Sequence, residues 1–172
     1  MPRRSLRGNR VSPERAVQEV LARYTRATDR RDGVGQGALF TDDAVIEIFE
    51  KTFAGDYQRV GEPMIGGAAV AYAVDNFMAP HPPGGSSHHL PVDSIIEVNG
   101  DTAHFNAQFV VFKVQGSVRP DGGWPEGALG AQGTVTPIEA GYYDTDLRRI
   151  DNEWKIVHHK VLLDLPMALP GA

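Results

Sequence analysis

The chain has no cysteine among its 172 residues. That absence excludes disulfides and thiolate chemistry, and it suits a reducing compartment such as the cytoplasm. No run approaches the ~18 consecutive apolar residues that a membrane span needs. Positive charge is scarce: 17 Lys and Arg stand against 22 Asp and Glu, for a net charge of −5. A nucleic-acid partner is therefore not expected. Metal-ligand spacing is missing too, with no HxxxH pair and no cysteine set. His158 and His159 are neighbours on a strand-like run and would point to opposite faces, so no metal site is expected there. The glycine-rich stretch 116–133 has no phosphate-loop lysine and does not lie between a strand and a helix, which argues against a nucleotide loop.

What is present describes one folded domain. The length favours a single domain, and a chain of this size can bury roughly 70% of its unfolded surface. Apolar residues make up 41% and charged residues 23%, ordinary proportions for a globular protein. The domain is expected over residues 13–165, with a flexible basic tail over 1–12 and a second tail over 166–172. The tail arginines Arg3, Arg4, Arg7 and Arg10 are not followed by an apolar stretch, so they do not read as a secretory signal.

Ser12, Pro13 and Glu14 form a helix start: an N-cap, a first-turn proline and an acidic first turn. Val17, Val20, Leu21, Tyr24 and Ala27 then recur at helical spacing, predicting an amphipathic helix over 13–31. A short second helix is expected over 37–40, a turn over 41–43 and a strand over 44–49. Residues 51–65 resist assignment, punctuated by Gly55, Gly61 and Pro63. A third helix is expected over 66–78. Strands follow over 89–98 and 102–114, joined by Asn99-Gly100-Asp101, and over 141–150 and 154–165. Residues 116–137 hold six glycines and three prolines and read as a long loop or hairpin extension, mobile or covering a pocket mouth. Helices first and antiparallel strands after predict the α+β class, with helices packed on one face of a sheet. A strongly curved sheet over one long helix would enclose a ligand cavity.

Few side chains in this frame suit chemistry. Tyr24 sits on the apolar stripe of the first helix, where its hydroxyl could donate to a developing enolate oxygen. At ~100° per residue Asp29 falls at the edge of that stripe and Asp32 nearer its middle. Only one of His88 and His89 can face the interior, because adjacent strand residues alternate. Tyr143 and Arg149 share a strand face and could reach one cavity together. Trp154 and Ile156 read as core.

Several segments together resemble the SnoaL-like family of the nuclear-transport-factor-2-like superfamily. These are Ala22 to Asp32, then Leu39-Phe40-Thr41-Asp42-Asp43-Ala44, then His89, Asp93 and Gly100-Asp101-Thr102-Ala103, and finally Gly141-Tyr142-Tyr143-Asp144 with Asp151 to Ile156. The resemblance implies a cone-shaped α+β barrel, in which N-terminal helices pack on a strongly curved antiparallel sheet around a pocket. It implies that His89 is a general base, that Asp29 orients it, and that the chain forms a homodimer. Superfamily members include polyketide cyclases, scytalone dehydratase, ketosteroid isomerase and a dehydrochlorinase. A cytoplasmic lyase, isomerase or cyclase acting without cofactor on a small hydrophobic, polyketide-like or steroid-like molecule is the expectation. Tyr24 would assist His89, while Tyr143, Arg149 and His88 would contact substrate. The alternative is a non-catalytic binding or assembly subunit, like the small subunit of a ring-hydroxylating dioxygenase.

Overall fold

The computed structural model describes residues 11–168. Most of the expected tail over 1–12 therefore lies outside the described residues. Helix α1 spans Pro13–Arg30; the Ser12 hydroxyl accepts the Arg15 N–H at 3.2 Å, and Arg31 ends the helix in a left-handed conformation with φ of 57°. The buried stripe is Val17, Val20, Leu21, Tyr24, Ala27 and Thr28. Each large apolar side chain on it contributes about 1.5–3 kcal/mol by leaving water.

Helix α2 spans Gly33–Gly37, earlier than the expected 37–40, because the Asp32 carboxylate accepts the Gly35 N–H at 2.8 Å and caps a new turn. Strand β1, Phe40–Lys51, absorbs the Thr41-Asp42-Asp43 segment expected as a turn. The short strands β2, Tyr57–Arg59, and β3, Met64–Ile65, both pair with β1 and organise the region that resisted assignment. Helix α3 is Gly66–Phe77. Four long strands follow: β4 Gly85–Asn99, β5 Thr102–Gly116, β6 Gly133–Ile150 and β7 Glu153–Leu163.

The α+β class holds, with the N-terminal helices on one sheet of seven strands in the order β2-β1-β7-β6-β5-β4 and β3 against β1. Two details differ from the expectation. The sheet is mixed, because β1 runs parallel to β7. Strand β1 leaves α2 beside the β6–β7 turn, where Lys155 Nζ donates to the Ala38 carbonyl at 2.8 Å and the Ile156 N–H to Leu39 at 2.8 Å, so it starts at the same end as β7. The barrel is also not closed, since β2 and β4 are at opposite ends of the strand order.

Curvature comes from bulges. Pairing shifts between Val92 and Ile95 on β4, where Asp93 has φ of 50°, between Val111 and Phe112 on β5, and between Asp146 and Leu147 on β6. The concave face packs Phe105, Phe109, Leu147 and Ile156 in one core with Val17 and Leu21. Trp154 and Ile156 are buried as expected. Within 116–137 the β5–β6 hairpin extends to the Gly116–Gly133 pair, and residues 117–132 between them are a long loop. The 116–137 stretch supplies none of the described residues that line the main cavity, which removes the idea of a lid there.

Candidate functional site

A cavity of about 460 Å³ lies between α1, α3 and the concave face of the sheet. That is the size of a small-molecule site. Ile46, Ile48, Val70, Val74, Val161 and Leu163 give it aliphatic walls. Its polar groups are Tyr24 and Thr28 from α1, Gln36 from α2, His89 from β4, and Glu139 and Tyr143 from β6. Phe40, Val60 to Glu62, Met64, Ala73, Phe77, Met78, Met167 and Ala168 complete the lining. The Met167 N–H donates to Glu50 at 2.7 Å, so the start of the expected C-terminal tail is part of the site.

The end of α1 meets β4 at Asp29. His89 Nδ1 is 2.6 Å from Asp29 Oδ1, and both carboxylate oxygens accept the His89 backbone N–H at 3.1 Å. The Ser87 hydroxyl adds a bond to Oδ1 at 3.0 Å, and the His81 ring lies 2.8 Å from the Asp29 carbonyl oxygen. Both side chains are largely buried. Asp29 is thus fixed from three directions and stands behind His89. It borders a second, shallower groove beside α1 rather than the main cavity, whereas His89 reaches both.

Tyr24 and Tyr143 are buried, with their rings edge to face at 5.5 Å, and Tyr143 stacks on Phe109 at 4.2 Å. Burial raises both phenol pKa values, and the nearby Glu139 carboxylate adds to the effect, so both hydroxyls stay protonated as donors. The Gln36 amide approaches the Tyr24 hydroxyl, yet its Oε1 is buried without a hydrogen-bond partner. His159 lies under the two tyrosines; its Nδ1 is 2.7 Å from the Thr145 hydroxyl. Burial drives its pKa down to about 3, so it is neutral. Its neighbour His158 points away to Glu47, at 2.9 Å. Among the described residues no group of three His, Cys, Asp or Glu side chains is placed to hold a metal.

Two expected contacts do not reach the main cavity. His88 is exposed on the opposite face of β4, as strand alternation requires once His89 points in, and lines only the shallower groove. Arg149 shares the parity of Tyr143 but lies six residues further along β6, roughly 20 Å away at strand rise. There its guanidinium pairs with Asp101 and covers the Trp154 ring at 5.8 Å. Asp32, the other candidate carboxylate, is engaged in capping α2.

Sequence reasoning missed Gln36 and Glu139. Glu139 falls on the face of Tyr143 at i and i+4, a signal hidden by reading the strand as starting at 141. Burial raises the Glu139 pKa above the usual carboxylate range, against an opposing pull from His89.

A family model described as a SnoaL-like domain matches residues 9–160. The chain belongs to the SnoaL-like family. No curated protein sequence matches it closely enough to count as a relative. Solved structures do share its fold. ActVI-ORFA from Streptomyces coelicolor superposes with a TM-score of 0.64 at 14% identity, covering 87% of this chain and 95% of that one. A protein from Novosphingobium aromaticivorans, described as the beta subunit of an aromatic-ring-hydroxylating dioxygenase, gives 0.63 at 18% identity, covering 90% and 92%. A protein from Catenulispora acidiphila in complex with S-DNPA gives 0.61 at 17% identity, covering 86% and 90%. At these identities the similarity speaks for this SnoaL-like chain's fold alone.

Proposed function

We propose that this SnoaL-like protein is a cofactor-independent lyase, isomerase or cyclase that removes a proton next to a carbonyl group of an apolar small molecule. The observation that carries the reading is the 2.6 Å contact between His89 Nδ1 and Asp29 Oδ1 at the wall of the cavity. A neutral ring that donates its Nδ1–H to the carboxylate holds a lone pair on Nε2 and can accept a proton there. Asp29 then stabilises the imidazolium that forms. Tyr24 is the donor for the developing enolate oxygen. A positioned base contributes ~10²–10⁴-fold, so orientation and electrostatics in the cavity supply the rest. The aliphatic walls, and a described lining without Lys or Arg, suit an uncharged ring system of polyketide or steroid type. The ligand complex of the Catenulispora protein is consistent with small-molecule binding in this fold. No helix among the described residues is long and apolar enough to cross a membrane. The cysteine-free sequence is compatible with a cytoplasmic setting.

The likeness to a dioxygenase beta subunit favours a second reading, a non-catalytic assembly subunit. Hydrogen exchange separates the two. Wild-type protein is incubated in D2O with a panel of neutral polycyclic ketones, and loss of the α-hydrogen signal is followed by NMR. His89→Ala is expected to lower exchange by ~10²–10⁴-fold without altering the circular dichroism spectrum, and Asp29→Asn by less, because its role is orientation. Wild-type protein that exchanges nothing on the panel would leave the assembly reading standing.

A further inference from the structure

Strand pairing places one more group on the cavity floor. His89 on β4 is directly opposite Val111 on β5, and Val111 is directly opposite Glu139 on β6. Residues paired across strands point to the same face, and strands lie about 4.8 Å apart, so His89 and Glu139 flank Val111 with roughly 10 Å between their Cα atoms. Val111 is 2% exposed, and both its neighbours line the cavity. The register shift beside this rung skips Ile138, which is exposed on β6, and seats Glu139 inward. A molecule lying over Val111 has an imidazole at one end and a carboxyl group at the other.

We infer that Glu139 is the proton donor to a leaving hydroxyl, so that the site dehydrates an uncharged β-hydroxy carbonyl compound. This rests on His89 being the base. His89 Nε2 takes the α-proton, and the C–H electron pair becomes the new C=C bond by way of the enolate. The C–O bond breaks with its electron pair on oxygen, and that oxygen takes the Glu139 proton and leaves as water. The imidazolium then returns one proton to the Glu139 carboxylate through that water, restoring both groups. Burial of Glu139 favours the protonated form that a donor needs. The other titratable groups acting on it and on its neighbours are Tyr24 and Tyr143, both protonated, and Asp29, which is held behind His89.

The test uses the whole protein and a panel of bicyclic and tricyclic β-hydroxy ketones. α-Hydrogen exchange in D2O reports the His89 step, and enone absorbance reports elimination. Glu139→Gln is expected to slow elimination about 100-fold while slowing exchange by no more than about tenfold. Glu139→Asp, which keeps a carboxyl group, should recover part of the loss. In wild-type protein with 13C-labelled glutamate, the Glu139 carboxyl resonance should titrate above the ordinary value of about 4.3. Equal loss of exchange and elimination in Glu139→Gln, no loss of elimination, or an ordinary titration midpoint overturns the inference alone. Wild-type protein that exchanges no α-hydrogen overturns the His89 reading and this one with it.

Discussion

His159 is an aromatic-sized polar ring with no exposed surface, bonded to Thr145 at Nδ1 and without a partner at Nε2. Its folded-state pKa is about 3, against 6.5 for an unperturbed imidazole, chiefly because burial penalises the cation. A depressed pKa gives stability that is fully present above the unfolded value. That stability is lost as pH falls from 6.5 towards about 3, because the unfolded chain binds the proton first. Acid should therefore destabilise the fold by up to several kcal/mol through this one residue. His159→Phe keeps the ring volume, removes the titration and leaves the Thr145 hydroxyl unpartnered, at a cost of about 1–3 kcal/mol near neutral pH. Urea unfolding at about pH 7.5 and about pH 4.5 checks this: the gap between wild type and variant should narrow in acid. A gap that stays constant would mean that the ring is solvated or protonated in the folded protein. Alternation on β4 shows the same dependence of chemistry on position, since His88 and His89 differ only in the face they occupy.

At the scale of elements, the contact between α2 and α3 is set by glycine. A Cβ on Gly37 would run into the Gly67 carbonyl, and one on Gly67 into the Gly37 carbonyl. This close approach holds Gln36 over the cavity, so Gly67→Ala should force the helices apart and cost about 1–3 kcal/mol. A melting temperature lower by several degrees is the expected reading, at about 2–4 °C per kcal/mol for a chain of this size. Gly122→Ala is the control: nothing lies within 4 Å of its Cβ position, and its melting temperature should not fall. A Gly67→Ala protein that melts with the control would mean that the helices are not locked at this point. The major elements with a local code were legible in the sequence. Ser12-Pro13-Glu14 starts α1, the stripe through Tyr24 orients it, and Asn99-Gly100-Asp101 turns β4 into β5. The resemblance drew attention to Asp29 and His89, whose meeting depends on a chain separation that no local pattern encodes. What stayed hidden was non-local. Thr41-Asp42-Asp43 is carried into β1 as the irregular stretch between the Phe40–Ile156 and Val45–His158 pairs with β7, and Glu139 faces inward because of a bulge inside a stretch whose glycines and prolines read as loop.

For the whole molecule, the face of β4, β5 and β6 opposite the cavity is unusually apolar. Leu90 is 47% exposed, Val92 45% and Val135 65%, and half-buried Val110, Phe112 and Val114 lie between them. Pairing aligns these side chains into rungs, Leu90 with Val110 and Ala140, and Val114 with Val135. Leu90, Phe112, Val114 and Val135 border the shallow groove that also holds Ala22 and Thr25 of α1. A contiguous apolar patch of this kind on a charged protein is better explained by an interface than by solvent. A second copy of the same face is self-complementary under a two-fold axis, which makes a homodimer the economical occupant. Light scattering at micromolar concentration should give twice the chain mass of 18.7 kDa. Leu90→Lys with Val110→Lys should reduce that to the monomer mass while leaving the circular dichroism spectrum unchanged, because both side chains point away from the core. Neither residue lines the main cavity. α-Hydrogen exchange by the monomeric variant should therefore persist if each chain carries a complete site. A wild-type monomer would instead assign this face to a different partner, and would strengthen the assembly-subunit reading over the catalytic one.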